Sequence, residues 1–173
     1  MDMKGYVQIY TGNGKGKTTA ALGLTMRAVG AGKKVFIGQF VKGMKYSEIQ
    51  TLESRFPEVC VKQYGLRCFI REQPAQEDID AAQAGLREVR RIVEQGEYDV
   101  VILDELNIAL YYTLFSVQDV LDIIAHKPEQ VELVLTGRYA PQELVDVADL
   151  VTEMKEVKHY YTQGVQGRKG IES

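Results

Sequence analysis

The sequence predicts an α/β protein with a three-layer fold, in which a mostly parallel central sheet of about five to six strands carries helices on both faces. Apolar runs of strand length alternate with helical patterns along most of the chain. The first such unit joins residues 6–10 to residues 35–41 through a helix, and a helical crossover of this length requires parallel pairing. Strands that end in polar or acidic residues complete the prediction.

The individual elements follow from periodicity and from end signals. An apolar stripe on the longest helix is formed by residues 79, 82, 86, 89 and 93, and Ser116 with Asp119 resembles a capping box. Strands are predicted at 6–10, 35–41, 59–64, 98–103, 131–136 and 149–153. Helices are predicted at 20–29, 47–55, 74–95, 116–126 and 141–147.

Length and composition indicate one domain over residues 1–173 of an ordinary globular type. The net charge of −3 argues against a general nucleic-acid binder, which is usually basic. The chain has no apolar run of transmembrane length and no signal peptide, so we expect a cytoplasmic protein without a membrane partner. Cys60 and Cys68 form no metal-binding spacing with the histidines and are expected to be free thiols.

A glycine-rich turn lies between the first strand and the first helix. Residues 12–19 read Gly-Asn-Gly-Lys-Gly-Lys-Thr-Thr, which in this context predicts a phosphate-binding loop and a P-loop NTPase-like (RecA-like) fold. Lys17 would neutralise phosphates and the Thr18 hydroxyl would ligate Mg²⁺. The usual first glycine is replaced by Thr11, so the loop must turn differently at its entrance. A strand–helix turn without a ligand is the alternative.

Two acids, Asp104 and Glu105, follow the buried strand at 98–103. Carboxylates at the carboxyl end of a central strand, after a phosphate loop, predict a second part of the nucleotide site. One acid would hold Mg²⁺, and the other would ligate the metal too or orient a nucleophile. Without the loop, such an acidic pair would be weak support for a ligand.

Other polar residues fall at the same predicted edge of the sheet. Gln39, Lys42 and Lys45 lie at or beyond the end of the second strand, and Arg138 follows the fifth. For the two lysines a solvated loop is the simpler interpretation. Arg138 would contact a phosphate at this edge, and a surface ion pair is an equal alternative for it. The tail at 157–171 mixes basic, aromatic and glycine residues, which predicts a segment that folds over the site or frays.

Several of these segments together resemble one family. The segments 11–21, 27–30, 39–43, 103–105, 136–138 and 157–159 occur in the order and spacing of the P-loop ATP:corrinoid adenosyltransferases of the cobalamin pathway. The resemblance covers nearly the whole chain. It implies that the cobalt of a reduced corrinoid, as Co(I), attacks the ribose 5′-carbon of ATP, so that adenosylcorrinoid forms and triphosphate leaves.

The resemblance also implies roles for particular residues. The phosphates would contact a set in the loop and first helix: Gly12, Asn13, Gly14, Lys15, Gly16, Lys17, Thr18, Thr19 and, more distantly, Arg27. Lys17, Thr18 and Glu105 would act on the reaction, with Mg²⁺ held by Thr18, Asp104 and Glu105. The corrinoid-side candidates are Gln39, Phe40, Leu66, Cys68 and Phe69.

Two features depart from the family pattern. The chain starts almost at its first strand, where some members carry an N-terminal segment that helps to cover the corrinoid. Leu66 and Cys68 stand where aromatic residues are expected, and Phe69 is one position away. The resemblance further implies an electron donor such as a flavoprotein as partner, and it leaves a homodimer open. The alternatives are a P-loop hydrolase or kinase, and a non-catalytic carrier that binds ATP and corrinoid.

Overall fold

The computed structural model describes residues 4–44, 46–66 and 73–172. Within them the strands are β1 Val7–Thr11, β2 Val35–Gln39, β3 Val59–Gln63, β4 Val100–Asp104, β5 Glu132–Thr136 and β6 Leu150–Glu153. The α-helices are α1 Lys17–Gly30, α2 Ser47–Arg55, α3 Gln76–Gln95, α4 Leu106–Tyr111, α5 Val117–Ala125 and α6 Gln142–Val147. A short 3₁₀ helix spans Tyr160–Gln163.

The strands form one sheet in the order β3-β2-β4-β5-β1-β6, and every pairing is parallel. This confirms the predicted α/β class and the P-loop NTPase-like arrangement. In a parallel sheet all carboxyl ends lie at one edge. The ends of β1, β2, β4 and β5 therefore meet there, because these four strands occupy neighbouring positions.

Apolar side chains pack on both faces of the sheet and hold that edge in place. On one face Ala21 and Ala28 of α1 and Leu52 of α2 cover strand residues such as Ile37 and Ile102. On the other face α3, α4, α5 and α6 contribute the larger cluster, which includes the fully buried Val89, Leu106, Ile123 and Leu144. Strands buried on both sides are the reason why their sequences read as continuous apolar runs.

Three details differ from the sequence prediction. The second strand stops at Gln39 instead of residue 41, because Val41 takes a left-handed conformation with φ of 58° that turns the chain out of the sheet. The fourth strand begins at Val100, two residues later than predicted. Helix α4 was not predicted, since six residues are too few to show a helical period.

The capping box predicted at the start of α5 is confirmed. Ser116 and Asp119 form the reciprocal hydrogen bonds of a capping box at the start of α5. Cys60 is a half-buried free thiol, whereas Cys68 lies outside the described residues. Within the described ranges, no helix is both long and apolar enough to cross a membrane.

Candidate active site

The phosphate loop makes its turn at a glycine that the usual motif does not have. Strand β1 continues through Thr11, and Gly12 then adopts a φ of 95°. A Cβ at Gly12 would lie 2.5 Å from the carbonyl oxygen of Met154, in the segment that follows β6. Only glycine permits both this conformation and this close approach. The displaced glycine is thus explained by packing of the loop against the chain after β6.

Helix α1 begins at Lys17, after Gly16 in a left-handed conformation. The Lys17 side chain is only 8% exposed and curls back over the loop, where its ammonium donates to the carbonyl oxygens of Gly12 (2.7 Å) and Gly14 (2.8 Å). Burial lowers the pKa of Lys17, and the neighbouring Arg138 adds to that, while Glu105 opposes it. Lys17 is therefore held at the helix N-terminus, where anions bind.

Asp104 is the centre of a buried polar cluster at the end of β4. Its Oδ1 accepts from the hydroxyls of Thr18 (2.9 Å) and Thr136 (2.7 Å). Its Oδ2 accepts from the Lys42 ammonium (2.7 Å) and the Gln39 amide (3.1 Å). Burial alone would raise the pKa of Asp104, but Lys42 and the two hydroxyls outweigh it and keep the pKa below its ordinary value. Asp104 is consequently a buried, ionised carboxylate.

Glu105, the next residue, is in a different environment. Its backbone is left-handed, with φ of 57°, and its amide donates to the Thr136 hydroxyl at 3.0 Å. This conformation ends β4 and turns the Glu105 side chain into the wall of a cleft. Burial and the neighbouring Asp104 raise the pKa of Glu105, against the opposing effect of Lys42, Lys17 and Arg138. The pKa values of these two adjacent carboxyl groups are thus shifted in opposite directions, down for Asp104 and up for Glu105.

The cleft at this edge has a volume of about 1020 Å³ and is open to solvent. Loop residues 14–19 line it together with Lys42 and Glu105. Ile108, Tyr111 and Tyr112 of the α4 segment and Arg138 and Tyr139 after β5 form a further wall. Ligand cavities in proteins have volumes of roughly 300–1,000 Å³. The cleft therefore has room for more than the phosphate chain of a nucleotide.

The C-terminal tail covers part of the cleft mouth, as one of the two tail predictions proposed. His159, Gly170, Ile171 and Glu172 line the cleft together with the loop. The exposed ammonium of Lys15 contacts Glu172 Oε1 (3.2 Å) and the carbonyl oxygen of Ile171 (3.0 Å). Glu172 is also bonded by Tyr160 and Arg168 within the tail. The tail therefore folds over the site and does not fray.

Some predicted site residues do not line the cleft. Gln39 and Phe40 are fully buried, Gln39 against Asp104 and Phe40 against aromatic rings of the core, so neither side chain faces a corrinoid in this conformation. Arg27 is in the last turn of α1, ten residues and roughly 15 Å along the helix from Lys17, which does not support a nucleotide contact within one chain. Leu66 is exposed, at a smaller pocket beside α3. Cys68, Phe69 and Lys45 lie outside the described residues.

The structure also adds residues that sequence reasoning missed. Thr136 bridges Asp104 and the Glu105 amide, and Gln63 donates to Gln39 and to the Met44 carbonyl oxygen. Tyr111 and Tyr139 stack at 4.5 Å on the cleft wall, and both rings are more than half exposed. Thr136 and Gln63 are the last residues of β5 and β3, and this position at the carboxyl edge of the sheet is the signal by which the sequence could have found them.

The oxygen donors on the cleft wall suit a hard divalent cation. The Thr18 hydroxyl and the Glu105 carboxylate reach the cleft, and Asp104 lies behind them. The described residues contain no group of three or more His, Cys, Asp or Glu that could hold a metal alone. Mg²⁺ is commonly bound by one or two protein oxygens together with phosphates and waters, so the residues present fit that ion.

A phosphate loop on a parallel sheet, with a strand-end acid pair beside it, defines a P-loop nucleotide-binding protein. A family model described as ATP:corrinoid adenosyltransferase BtuR/CobO/CobP matches residues 3–173. The corrinoid adenosyltransferase of Pseudomonas aeruginosa is 37% identical over 172 residues, which are 99% of this chain and 85% of that protein. The Escherichia coli K12 enzyme is 35% identical over 99% of this chain and 87% of its own length. The chain belongs to the ATP:corrinoid adenosyltransferase family.

Proposed function

We propose that the chain transfers the 5′-deoxyadenosyl group of ATP to the Co(I) of a reduced corrinoid. The cobalt supplies the electron pair of the new cobalt–carbon bond and becomes formally Co(III). The bond between the 5′-carbon and its oxygen breaks, and its electron pair leaves with triphosphate. The observation that carries this proposal is the shared cleft, in which the phosphate loop, Lys17 and Glu105 line one cavity larger than a phosphate site requires.

The leaving group determines what the protein must supply. Triphosphate gains negative charge as the bond breaks, and preorganised donors stabilise such charge most effectively where water is excluded. Lys17 is already held at the start of α1, within reach of the loop. On nucleotide binding its ammonium would exchange the carbonyl oxygens of Gly12 and Gly14 for phosphate oxygens. Co(I) is a nucleophile without a proton to lose, so the reaction needs no general base.

Thr18 and Glu105 would hold Mg²⁺ at the phosphates, with Asp104 behind them orienting the Thr18 hydroxyl. When bound, the cation would neutralise charge on the phosphate chain. Asp104 is fully occupied by four donors, which favours this indirect role over direct ligation. The proposed partners are ATP, the corrinoid and an electron donor such as a flavoprotein, in the cytoplasm, with residues 1–173 acting as one domain.

The experiment is an anaerobic assay of the purified chain with chemically reduced cob(I)alamin and MgATP. The corrinoid spectrum and the phosphate product are followed together. We expect light-sensitive adenosylcobalamin and triphosphate in equal amounts. Formation of ADP without a cobalt–carbon bond would instead indicate a hydrolase, if orthophosphate is released, or a kinase, if it is not. Tight binding of both ligands without turnover would indicate a carrier.

A further inference from the structure

Lys42 has a place in the cluster that the phosphate-loop motif does not explain. Lys42 is the third residue after the end of β2, and its side chain is 16% exposed. The ammonium donates to Asp104 Oδ2 at 2.7 Å and to Thr18 Oγ1 at 3.3 Å. The same side chain lines the cleft beside Glu105 and the loop. Lys42 therefore joins the buried acid to the surface that a nucleotide would occupy.

The two contacts of Lys42 define the position of a positive charge. Asp104 and Thr18 are themselves hydrogen-bonded at 2.9 Å, and the Lys42 ammonium contacts both. A buried carboxylate without a cation is strongly unfavourable, and Glu105 is a second acid next to it. Some cation must therefore stay near this pair, and Lys42 supplies it in the present conformation.

The carboxylate is fixed from behind, so the cation is the part that can change. Gln39 donates to Asp104 Oδ2 at 3.1 Å and accepts from Gln63 at 3.0 Å, and Gln63 also donates to the Met44 carbonyl oxygen. The buried Gln39 amide and the half-buried Gln63 amide hold Asp104 through β2 and β3. Lys42 has a flexible four-carbon stem and three donors, and it is not held by a rigid fork as an arginine would be.

We propose that Lys42 is a positioning residue with two positions. Without ligands its ammonium supplies at Asp104 and Thr18 the positive charge that Mg²⁺, held by Thr18 and Glu105, would supply when bound. When Mg²⁺ and the phosphate chain enter, it leaves that place and contacts the phosphates in the same cleft. This inference rests on the proposed magnesium site of the adenosyltransferase reaction.

The first experiment measures Mg²⁺ binding without nucleotide, by titration calorimetry and by the melting temperature as a function of MgCl₂. Lys42→Met removes the charge and keeps the length of the side chain. Lys62→Met is the matched control, since Lys62 pairs with Glu88 in an exposed ion pair outside the cleft. We expect Lys42→Met to bind Mg²⁺ about fivefold or more tightly than the parent, and Lys62→Met to bind like the parent. Equal affinity in Lys42→Met and parent overturns the inference.

The second experiment measures binding of inorganic triphosphate in saturating Mg²⁺. We expect Lys42→Met to lose about tenfold in affinity and Lys42→Arg, which keeps the charge, to lose less. If Lys42→Met binds triphosphate as tightly as the parent does, the inference that Lys42 moves to the phosphates is wrong. If Lys42→Met does not fold, Lys42→Gln replaces it in both experiments.

Failure of this inference is distinguishable from failure of the proposed function. If the parent makes adenosylcobalamin and triphosphate but Lys42→Met gains no Mg²⁺ affinity, only the inference about Lys42 is wrong. If the parent makes no adenosylcobalamin, the proposed function is wrong, and the Mg²⁺ titration still decides whether Lys42 competes with a cation.

Discussion

Two lysine–carboxylate contacts lie at opposite sides of the same cleft, and they differ in burial. Lys42 and Asp104 meet beneath the cleft with side chains 16% and 2% exposed, whereas Lys15 and Glu172 meet at its mouth with 41% and 19% exposed. Asp104 accepts hydrogen bonds from two strands, one helix and the loop after β2, while Glu172 is bonded by its own tail and one loop residue. Removal of one partner from a buried ion pair lowers the free energy of unfolding strongly, whereas removal from an exposed pair changes it little.

This contrast teaches where the site is rigid and where it can open. The buried cluster orients Thr18 and fixes Asp104 from β2 and β5, so this carboxylate does not have to reorganise when substrate binds. The exposed cluster competes for Lys15, a loop residue that a phosphate would also attract. We therefore expect changes beneath the cleft to affect stability and catalysis strongly, and changes at its mouth to affect mainly the affinity for ATP.

The largest effect is expected for Asp104→Asn, which removes the carboxylate that is hydrogen-bonded to the buried Lys42 ammonium. The free energy of unfolding should fall by about 3 kcal/mol or more, measured by urea denaturation. Since the folded-state pKa of Asp104 is lowered, its stabilisation exists above the ordinary aspartate pKa of about 3.9 and is lost as the pH falls through the folded-state value. The difference in free energy of unfolding between the parent and Asp104→Asn should accordingly become smaller at acidic pH.

Glu88→Gln is the control for that measurement, because it breaks the exposed pair with Lys62. The free energy of unfolding of Glu88→Gln should fall by no more than about 1 kcal/mol. The double variant Asp104→Asn with Lys42→Met should regain part of the stability, since it removes the uncompensated charge. A loss below about 1 kcal/mol for Asp104→Asn alone would contradict the contrast between the two contacts.

Next in size is Lys17→Ala, tested against Lys15→Ala in the same loop. Loss of the buried lysine should lower kcat/KM for adenosyl transfer by about 10²–10³-fold, because the leaving triphosphate loses a preorganised positive charge. Loss of the exposed lysine should cost less than about tenfold. Rates are measured anaerobically with cob(I)alamin and MgATP. Activity of Lys17→Ala within a few-fold of the parent would remove the role assigned to this residue.

The third variant, Glu105→Gln, is expected to gain stability and to lose activity. Glu105→Gln should lower kcat/KM about tenfold or more, since a charged oxygen at the proposed metal site is lost. It should nevertheless raise the melting temperature at neutral pH, because burial and Asp104 raise the pKa of Glu105 and its ionisation costs stability.

The pH dependence checks this interpretation of Glu105. The group's contribution is favourable below its ordinary pKa of about 4.3 and is lost as the pH rises through the raised folded-state value. The melting temperatures of parent and variant should coincide near pH 4 and diverge as the pH increases. A gap that is constant with pH would show that the gain does not come from ionisation of Glu105.

The phosphate loop and the acid pair could be predicted from the sequence because both are local. The spacing of glycines before Lys17 and the position of Asp104 after an apolar run are visible without knowledge of strand order. The surroundings of Asp104 could not be predicted in this way. Gln39 and Thr136 meet it because β4 lies between β2 and β5, and that order is a property of the assembled sheet.

The same reasoning explains the misplaced candidates. Phe40 lies near the carboxyl end of the predicted strand at 35–41, the edge where ligands bind in open α/β sheets, but Phe115 and Tyr64 from distant parts of the chain contact its ring. The tail allowed two interpretations because its contacts join residues 15 and 172, far apart in sequence. Long-range contacts thus decided the cases that local patterns left open.

The smallest effect is expected at the mouth of the cleft, for Glu172→Gln. The melting temperature should not change measurably, since exposed ion pairs contribute little. Because the carboxylate no longer competes for Lys15, the KM for ATP should fall by up to about fivefold while kcat stays constant. Steady-state kinetics with varied MgATP separate the two constants. A rise in KM would instead show that Glu172 helps to hold the nucleotide, and the exposed cluster would then be part of the site and not a competitor for it.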